Sequence, residues 1–576
     1  MEKIIPKHLM PFVAHQYYHC YSPIDHAVWR YVMRQNHHFL EDIAHEAFTS
    51  GLKSSGIGIE SIPKVSEMNE KLTKIDWGAV IVDGLIPGTA FFDFQAHGIL
   101  PVATEIRQKT NIEYTPAPDI VHEAAGHAPI LFDETYSEFV KLIGSIGANA
   151  FATSEEHEVF EATRNLSIVM EKPFSTKEEI DAAKQLLIEK QQAVKGLSEA
   201  EQISRIFWWT VEFGLIGDLD NPKIFGAGLL SSVGESKHCL SNAVQKRRFT
   251  IEDAKSTSYD VTSMQTQLFV CESFEQLIEE VNKFGDTMAF RTGGTQALDK
   301  ATASGQVAHI EFNSGIQLTG LFTEVIKNEQ EEAIYLKSSS PSTLSIKNIE
   351  ITGHGIKTHT DGFGVPIGRL ATHTALEELS PEVLKSLGII LGAHVDFQYE
   401  SGIQVTGTIT DMKFNQDKLA LLSLTECKVW HEDQVLFDPS WGQYDLIIAS
   451  KVISARPGAA DYVSYYGEPP LLTPDDKEKD EDTPLESLYS EVRSLRENHI
   501  VDQDKWIQIT ENTLKDYPEE WLLLLEILEI IEVHSIQTDY KRILLDHLKT
   551  LCADDRYVRL IKNGLEVVYG KKDVLI

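Results

Sequence analysis

Between about residues 305 and 465 the apolar side chains of this chain recur at every second position, while on either side they recur at helical spacing. That change of period rules out one repeating architecture and predicts a β-rich region between two helical ones. Upstream, Asp25 to Glu46, Thr176 to Lys195 and Ser273 to Phe284 carry apolar residues on one helical face. In the middle, His309-Ile310-Glu311-Phe312 and Ile316-Gln317-Leu318-Thr319 alternate as strands do. The stretch Asn313-Ser314-Gly315-Ile316-Gln317-Leu318-Thr319-Gly320 is echoed by Glu400-Ser401-Gly402-Ile403-Gln404-Val405-Thr406-Gly407. The echo predicts two related β units, either small barrels or halves of one sheet.

The run Thr473 to Pro484 holds charges and no apolar residue, so it can bury nothing and reads as a linker. Beyond it Leu485, Leu488, Val492 and Leu495 restore the helical period, continued by Trp521 to Val533 and Tyr540 to Leu551. The expected organisation is multidomain. A mainly α catalytic region spans 1–300, a β-rich region with a weak internal repeat 301–470, an acidic linker 471–484 and a small all-α region 485–576.

Charge excludes one class of partner. The formal net charge of −35 repels a phosphate backbone, and the densest basic run is only Lys246-Arg247-Arg248, so nucleic acid is not an expected ligand. The five cysteines are scattered and form no CxxC pair, which argues against a zinc ribbon or a disulfide framework. No secretory signal follows Met1, and the greasiest stretch, Trp521 to Ile531, contains Glu526 and Glu529 and is shorter than the roughly 20 residues a membrane helix needs. A cytoplasmic protein with no membrane partner is expected.

Chemistry concentrates in Tyr114 to Pro129. His122 and His127 are five apart, on a segment of helix formers. In the zinc-protease pattern the histidines are four apart, about 40° around a helix; five apart they diverge by about 140°. Both reach one ion only if the helix ends or widens between them, which Gly126 permits. A third ligand is expected in Glu212, a carboxylate among aromatics in Phe207-Trp208-Trp209-Thr210-Val211-Glu212-Phe213, since an acid in that setting needs a partner or a metal. Two imidazoles and one carboxylate form the facial triad typical of non-haem Fe(II) oxygenases, and no thiolate stands by to select zinc.

With these residues assembled, the chain from about 10 to 296 resembles the catalytic domain of the pterin-dependent aromatic amino acid hydroxylases. Four blocks agree in order: Phe91-Phe92 through Ile106-Arg107; Tyr114-Thr115-Pro116 through His127-Ala128-Pro129; Trp208 through Leu215; and Phe225 through Glu235. The resemblance implies that His122, His127 and Glu212 bind Fe(II). It implies a substrate site in which Arg107 grips the amino acid carboxylate, Asp119 holds Arg107, Thr115 and Ser231 complete the pocket, and Pro118, Trp208 and Gly228 line the ring slot. It places tetrahydropterin on Phe91, with Leu85, Glu123 and Glu235 at its polar edge. It sets Glu123 and Phe207 at the catalytic centre, Phe207 standing where some members carry an aromatic hydroxyl. The small molecules implied are an aromatic amino acid, O2 and the pterin.

The chain departs from the family at Ala124-Ala125 between the histidines, at Ala117, and in the loosely similar pterin segment Asp83 to Thr89. Residues beyond about 300 match nothing in the family, and oligomerisation, regulation or partner docking are the roles open to them. Two further triplets, His359-Thr360-Asp361 and His394-Val395-Asp396, spell the start of a jelly-roll oxygenase triad but lack convincing partners. The expected activity is ring hydroxylation of L-phenylalanine to L-tyrosine. The alternatives are a tyrosine or tryptophan hydroxylase, or a catalytically silent sensor of aromatic amino acids.

Overall fold

A computed structural model describes residues 3–113, 119–171, 176–261, 263–339, 341–470, 478–479, 481–498, 500, 502–534, 536 and 539–570. It is mixed helix and sheet, with a β-rich region where the period is two. The elements used below are helices α1 (Pro23–Leu40), α2 (Gly88–Ala96), α3 (Glu199–Phe207), α4 (Ala227–Leu230), α5 (Pro484–Glu497), α6 (Trp521–Val533) and α7 (Val558–Tyr569). Strands β1 (Gly78–Val82) and β2 (Ile99–Ala103) pair in parallel; β3 (Leu215–Asp218), β4 (Asn221–Ile224), β5 (Gln245–Arg248) and β6 (Gln267–Cys271) form a second small sheet in the order β4-β3-β6-β5.

Capping chemistry explains where the long helices begin. Ser22 and Asp25 close a capping box in front of Pro23, Thr176 and Glu179 do the same for Lys177–Ala193, and Thr483 and Glu486 for α5. The acidic run thus ends as a helix start; residues 471–477 and 480 of it lie outside the described residues. The helix expected from Asp25 to Glu46 stops at Leu40. His45 caps a second helix, Glu46–Ser55, accepting from the Ala47 amide, while Ala44 bridges to Ile224.

α1 is buried nearly all round, from His26 and Ala27 to Gln35 and Asn36, so both its faces need partners. The second partner is the C-terminal helices. Arg30 forms a two-pronged ion pair with Glu526 of α6 at 2.5 and 3.0 Å, and Tyr31 donates to the Leu560 carbonyl in α7. Arg496 of α5 reaches Glu60 and Glu529. One hydrophobic cluster runs from α1 through Leu522, Leu523, Ile527 and Leu565. The glutamates that interrupt the apolar run of α6 are therefore buried counter-ions, as burial of a carboxylate requires. Among the described residues no helix is long and apolar enough to cross a membrane, and all five cysteines are free.

In the β-rich region the echoed segments occupy equivalent places. β7 (Val307–Phe312) turns at Gly315 into the long β8 (Ile316–Lys327), followed by β9 (Ala333–Ser338), β10 (Thr343–Ile346), β11 (Ile349–Glu350) and β12 (Phe363–Pro366). β13 (His394–Gln398) turns at Gly402 into β14 (Ile403–Asn415), followed by β15 (Lys418–His431), β16 (Gln434–Phe437), β17 (Tyr444–Ile447) and β18 (Val452–Pro457). Both turn glycines have φ of 86°, the left-handed region that excludes most side chains. The two units exchange their ends. β18 pairs antiparallel with β7, and the segment after β12 returns to β13 through the Leu370–Tyr399 bridge and the Ala371 amide on the Gln398 carbonyl. Asn415 at the tip of β14 donates to the Ser314 carbonyl in the other unit's turn.

Candidate active site

Two turns of π-helix build the site. His122–His127 is π-helical, with the Ala128 amide donating to the Glu123 carbonyl five residues back. α3 runs into a second π turn, Trp208–Glu212, where the Phe213 amide reaches the Trp208 carbonyl at 2.8 Å. Widening the helix to i→i+5 stacks residues five apart on one face, which brings His122 and His127 together despite a spacing that diverges on an α-helix. Glycines let the neighbouring backbone close in. A Cβ on Gly126 would stand 2.7 Å from the Ala227 carbonyl oxygen, and one on Gly226 would stand 2.4 Å from that of Glu212.

The donors converge. The Nε2 atoms of His122 and His127 are 3.0 Å apart, and Glu212 spans both, Oε2 at 3.1 Å from His122 and Oε1 at 3.2 Å from His127. These edges match adjacent corners of an octahedron with metal–ligand bonds of about 2.1 Å, for which the edge is about 3.0 Å. Ser231 settles the tautomer of His122. Its hydroxyl donates to the Ala227 carbonyl at 2.8 Å and so accepts at 3.0 Å from His122 Nδ1–H, leaving the Nε2 lone pair for a cation. The donor set therefore fits a ferrous ion.

Two carboxyls near the imidazoles are driven apart. Burial raises the Glu212 carboxyl, but the two imidazoles overcome it and hold Glu212 far below the usual range, so it is charged. Glu123 is pushed up to about 8 by burial, reinforced by Glu212 and Asp119. Its Oε2 is buried without a hydrogen-bond partner, 3.9 Å from His127 Nε2. Glu212 is thus the ligand-like carboxylate and Glu123 a neutral acid at its side.

Arg107 follows β2 and is buried against Asp119. Its Nε and one terminal nitrogen each contact a different Asp119 oxygen at 2.8 Å, while Nη1 donates to the Ser231 carbonyl at 3.1 Å. The Nε edge of the fork is therefore committed to Asp119, and Nη1 also donates to the Ile112 carbonyl at 3.4 Å, which leaves Nη2 the freer nitrogen for an anion. Against the upward push of burial, Arg107 keeps the Asp119 carboxyl below the usual range. Asp119 also accepts from the His122 amide, linking this pair to the imidazoles.

The remaining residues fall on the margins. Phe91 and Phe92 of α2 meet Phe207 edge-to-face, with centroids 5.5 and 5.3 Å away. Leu85 is exposed in the loop before α2. Gly228 sits in α4, where a Cβ would press on Phe213. Trp208 is stacked by Phe213 at 4.5 Å and by Tyr259 at 4.3 Å, so its indole meets rings of the chain itself. Glu235 is buried, accepts from the Gln265 amide at 3.2 Å and is pushed up to about 7 by burial. Thr115 and Pro118 lie outside the described residues.

Sequence reasoning missed Tyr259 and the anchors of the segment after Arg107. Lys109 contacts Glu520 at 2.5 Å, and Glu113 pairs with Arg559 of α7 at 2.5 Å. No local pattern signals these pairs, whose members are more than 400 positions apart.

Residues 17–171 and 189–304 match the family model described as biopterin-dependent aromatic amino acid hydroxylase. A phenylalanine-4-hydroxylase of Chromobacterium violaceum is 28% identical over 261 residues, covering 45% of this chain and 73% of that protein. One of Mesorhizobium japonicum is 26% identical over 286 residues, covering 49% and 88%. A crystal structure of the C. violaceum enzyme with iron(III) and 7,8-dihydrobiopterin is 25% identical, covers 50% of this chain and 94% of that one, and has a TM-score of 0.38. The N-terminal half of the chain belongs to the biopterin-dependent aromatic amino acid hydroxylase family, and the protein is an aromatic amino acid monooxygenase.

Proposed function

We propose that this monooxygenase converts L-phenylalanine to L-tyrosine, with ferrous iron on His122, His127 and Glu212 and a tetrahydropterin as reductant. The observation that carries the reading is the convergence of two imidazole nitrogens 3.0 Å apart with the two Glu212 oxygens, one at 3.1 Å from His122 and the other at 3.2 Å from His127. The phenylalanine-4-hydroxylases at 26–29% identity support the choice of substrate. Iron and tetrahydropterin together supply the activation of O2, one atom of which ends on the ring.

The chain's part is positioning. Ser231 fixes the His122 ring, and Asp119 fixes Arg107 so that its outer edge meets the substrate carboxylate. Thr115, Pro118, Trp208 and Gly228 bound the amino acid, in this reading, and Phe207 closes an apolar wall with Phe91. Phe91 and Leu85 take the pterin, with the carboxyls of Glu123 and Glu235, both raised by burial, at its polar edge. Aromatic walls exclude water from the reacting ring.

The test is anaerobic loading of the full chain with Fe(II), then assay of tyrosine with and without tetrahydropterin in air. Tyrosine is expected only with both pterin and oxygen. Binding of iron and phenylalanine without turnover overturns the reading and leaves a ligand-binding domain.

A further inference from the structure

A second group of two imidazoles and one carboxylate lies outside the hydroxylase site. The loop between β11 and β12 carries His354 and His359, and β17 of the other β unit carries Asp445. One donor atom from each lies within 4.8 Å of the others. Asp445 Oδ2 is 2.9 Å from His354 Nδ1 and 3.3 Å from His359 Nε2. The side chains are 7%, 10% and 1% exposed, so the cluster is largely buried.

Three features aim these atoms at a common point. The other oxygen of Asp445 is occupied by the Ser423 hydroxyl at 2.6 Å and the Gln443 amide at 3.2 Å, which turns Oδ2 toward the imidazoles. Backbone bonds hold the loop: the Leu344 amide donates to the His354 carbonyl and the Ser342 amide to that of His359, both at 2.9 Å. The His359 ring is wedged edge-to-face on Phe363 at 4.8 Å. Yet His359 Nε2 is buried with no hydrogen-bond partner, although Asp445 Oδ2 stands 3.3 Å away. A buried ring nitrogen with no hydrogen-bond partner is costly unless something takes its lone pair.

We propose that His354, His359 and Asp445 form a second metal site, taking Zn(II), that clamps the two β units together. Because Ser423 and Gln443 hold the other Asp445 oxygen, the cluster offers only three single-atom donors, which a water completes to the four-coordinate shell zinc prefers. The ion ties a loop of the first unit to a strand of the second, at the seam where the units already exchange their ends. Asp361, the neighbour of His359 in the HxD triplet, is exposed and takes no part.

The test uses the full chain with the first centre disabled by H122A and E212A. After chelator treatment it is titrated with Zn(II), desalted and assayed for metal. One equivalent of zinc is expected to be retained, with a rise in Tm and an X-ray absorption shell of nitrogen and oxygen showing two-imidazole scattering. Adding H359A, or H359Q where the alanine variant does not fold, should abolish both retention and the Tm gain. Failure of the H122A/E212A chain to hold zinc, zinc retained by a folded His359 variant, or a thiolate or all-oxygen shell each overturns the proposal.

Discussion

The two clusters of paired imidazoles share a spacing and little else. His122 and His127 are five apart, as are His354 and His359, and each pair meets a carboxylate from a distant segment. The first pair rides a π turn with its rings perpendicular, centroids 4.8 Å apart; the second sits in an irregular loop with its rings near parallel at 6.0 Å. Glu212 turns both oxygens to its imidazoles, whereas Asp445 gives one oxygen to Ser423 and Gln443. Glu123, whose Oε2 has no hydrogen-bond partner, and aromatic walls flank the first cluster, and sheet backbone flanks the second. Sequence spacing alone thus says little about a site; the backbone that carries it and the other bonds of the carboxylate decide whether it is built for chemistry or for holding.

The sharpest way to break this contrast is at Glu212. Glu212→Ala removes the bridging carboxylate, and we expect turnover to fall by about 10^3-fold or more, equivalent to a loss of about 4 kcal/mol at the barrier. Iron content and tyrosine formation check it. Iron retained at full stoichiometry with normal turnover would dissolve the distinction between the clusters. A smaller effect is expected at Arg107. Arg107→Lys keeps the charge but loses the fork, so KM for phenylalanine should rise by roughly 10- to 100-fold, the worth of about 1.5–3 kcal/mol for a charge-assisted bond. An unchanged KM removes Arg107 from the substrate site. Ser231→Ala frees the His122 ring from its fixed tautomer, and iron affinity should drop by about 10- to 100-fold, read by competition with a chelator.

The first cluster was far more legible in the sequence than the second. Five-residue spacing lets both histidines reach one ion only where the helix ends or widens, which Gly126 permits, and the structure widens it; a carboxylate among aromatics needs a partner or a metal, which made Glu212 the candidate. The partnership of His359 with Asp445 depends on the exchange of strands between the β units, which no local pattern encodes. The same limit hid the second face of α1. Its Arg30 finds Glu526 across 496 positions, and a period of 3.6 marks only the face that is apolar. Tyr259, stacked on Trp208, lies in an irregular segment with no periodicity to read.

The last effect is read in stability rather than turnover: it concerns the buried Glu235 carboxyl, and it is a matter of pH. Glu235 is 1% exposed, Oε2 has no hydrogen-bond partner, and burial pushes the group from 4.5 up to about 7. A carboxyl raised in the folded state is bound more tightly to its proton there than in the unfolded chain. Its contribution to stability is therefore full below about pH 4.5, declines above it, and is lost as pH rises through about 7. The ceiling on that loss is about 3 kcal/mol. Glu235→Gln is neutral at every pH and lacks this slope, so Tm of the variant relative to the parent should climb between pH 5 and 8 in thermal melts. Parallel Tm profiles for the two proteins would mean that burial does not raise this carboxyl in the fold.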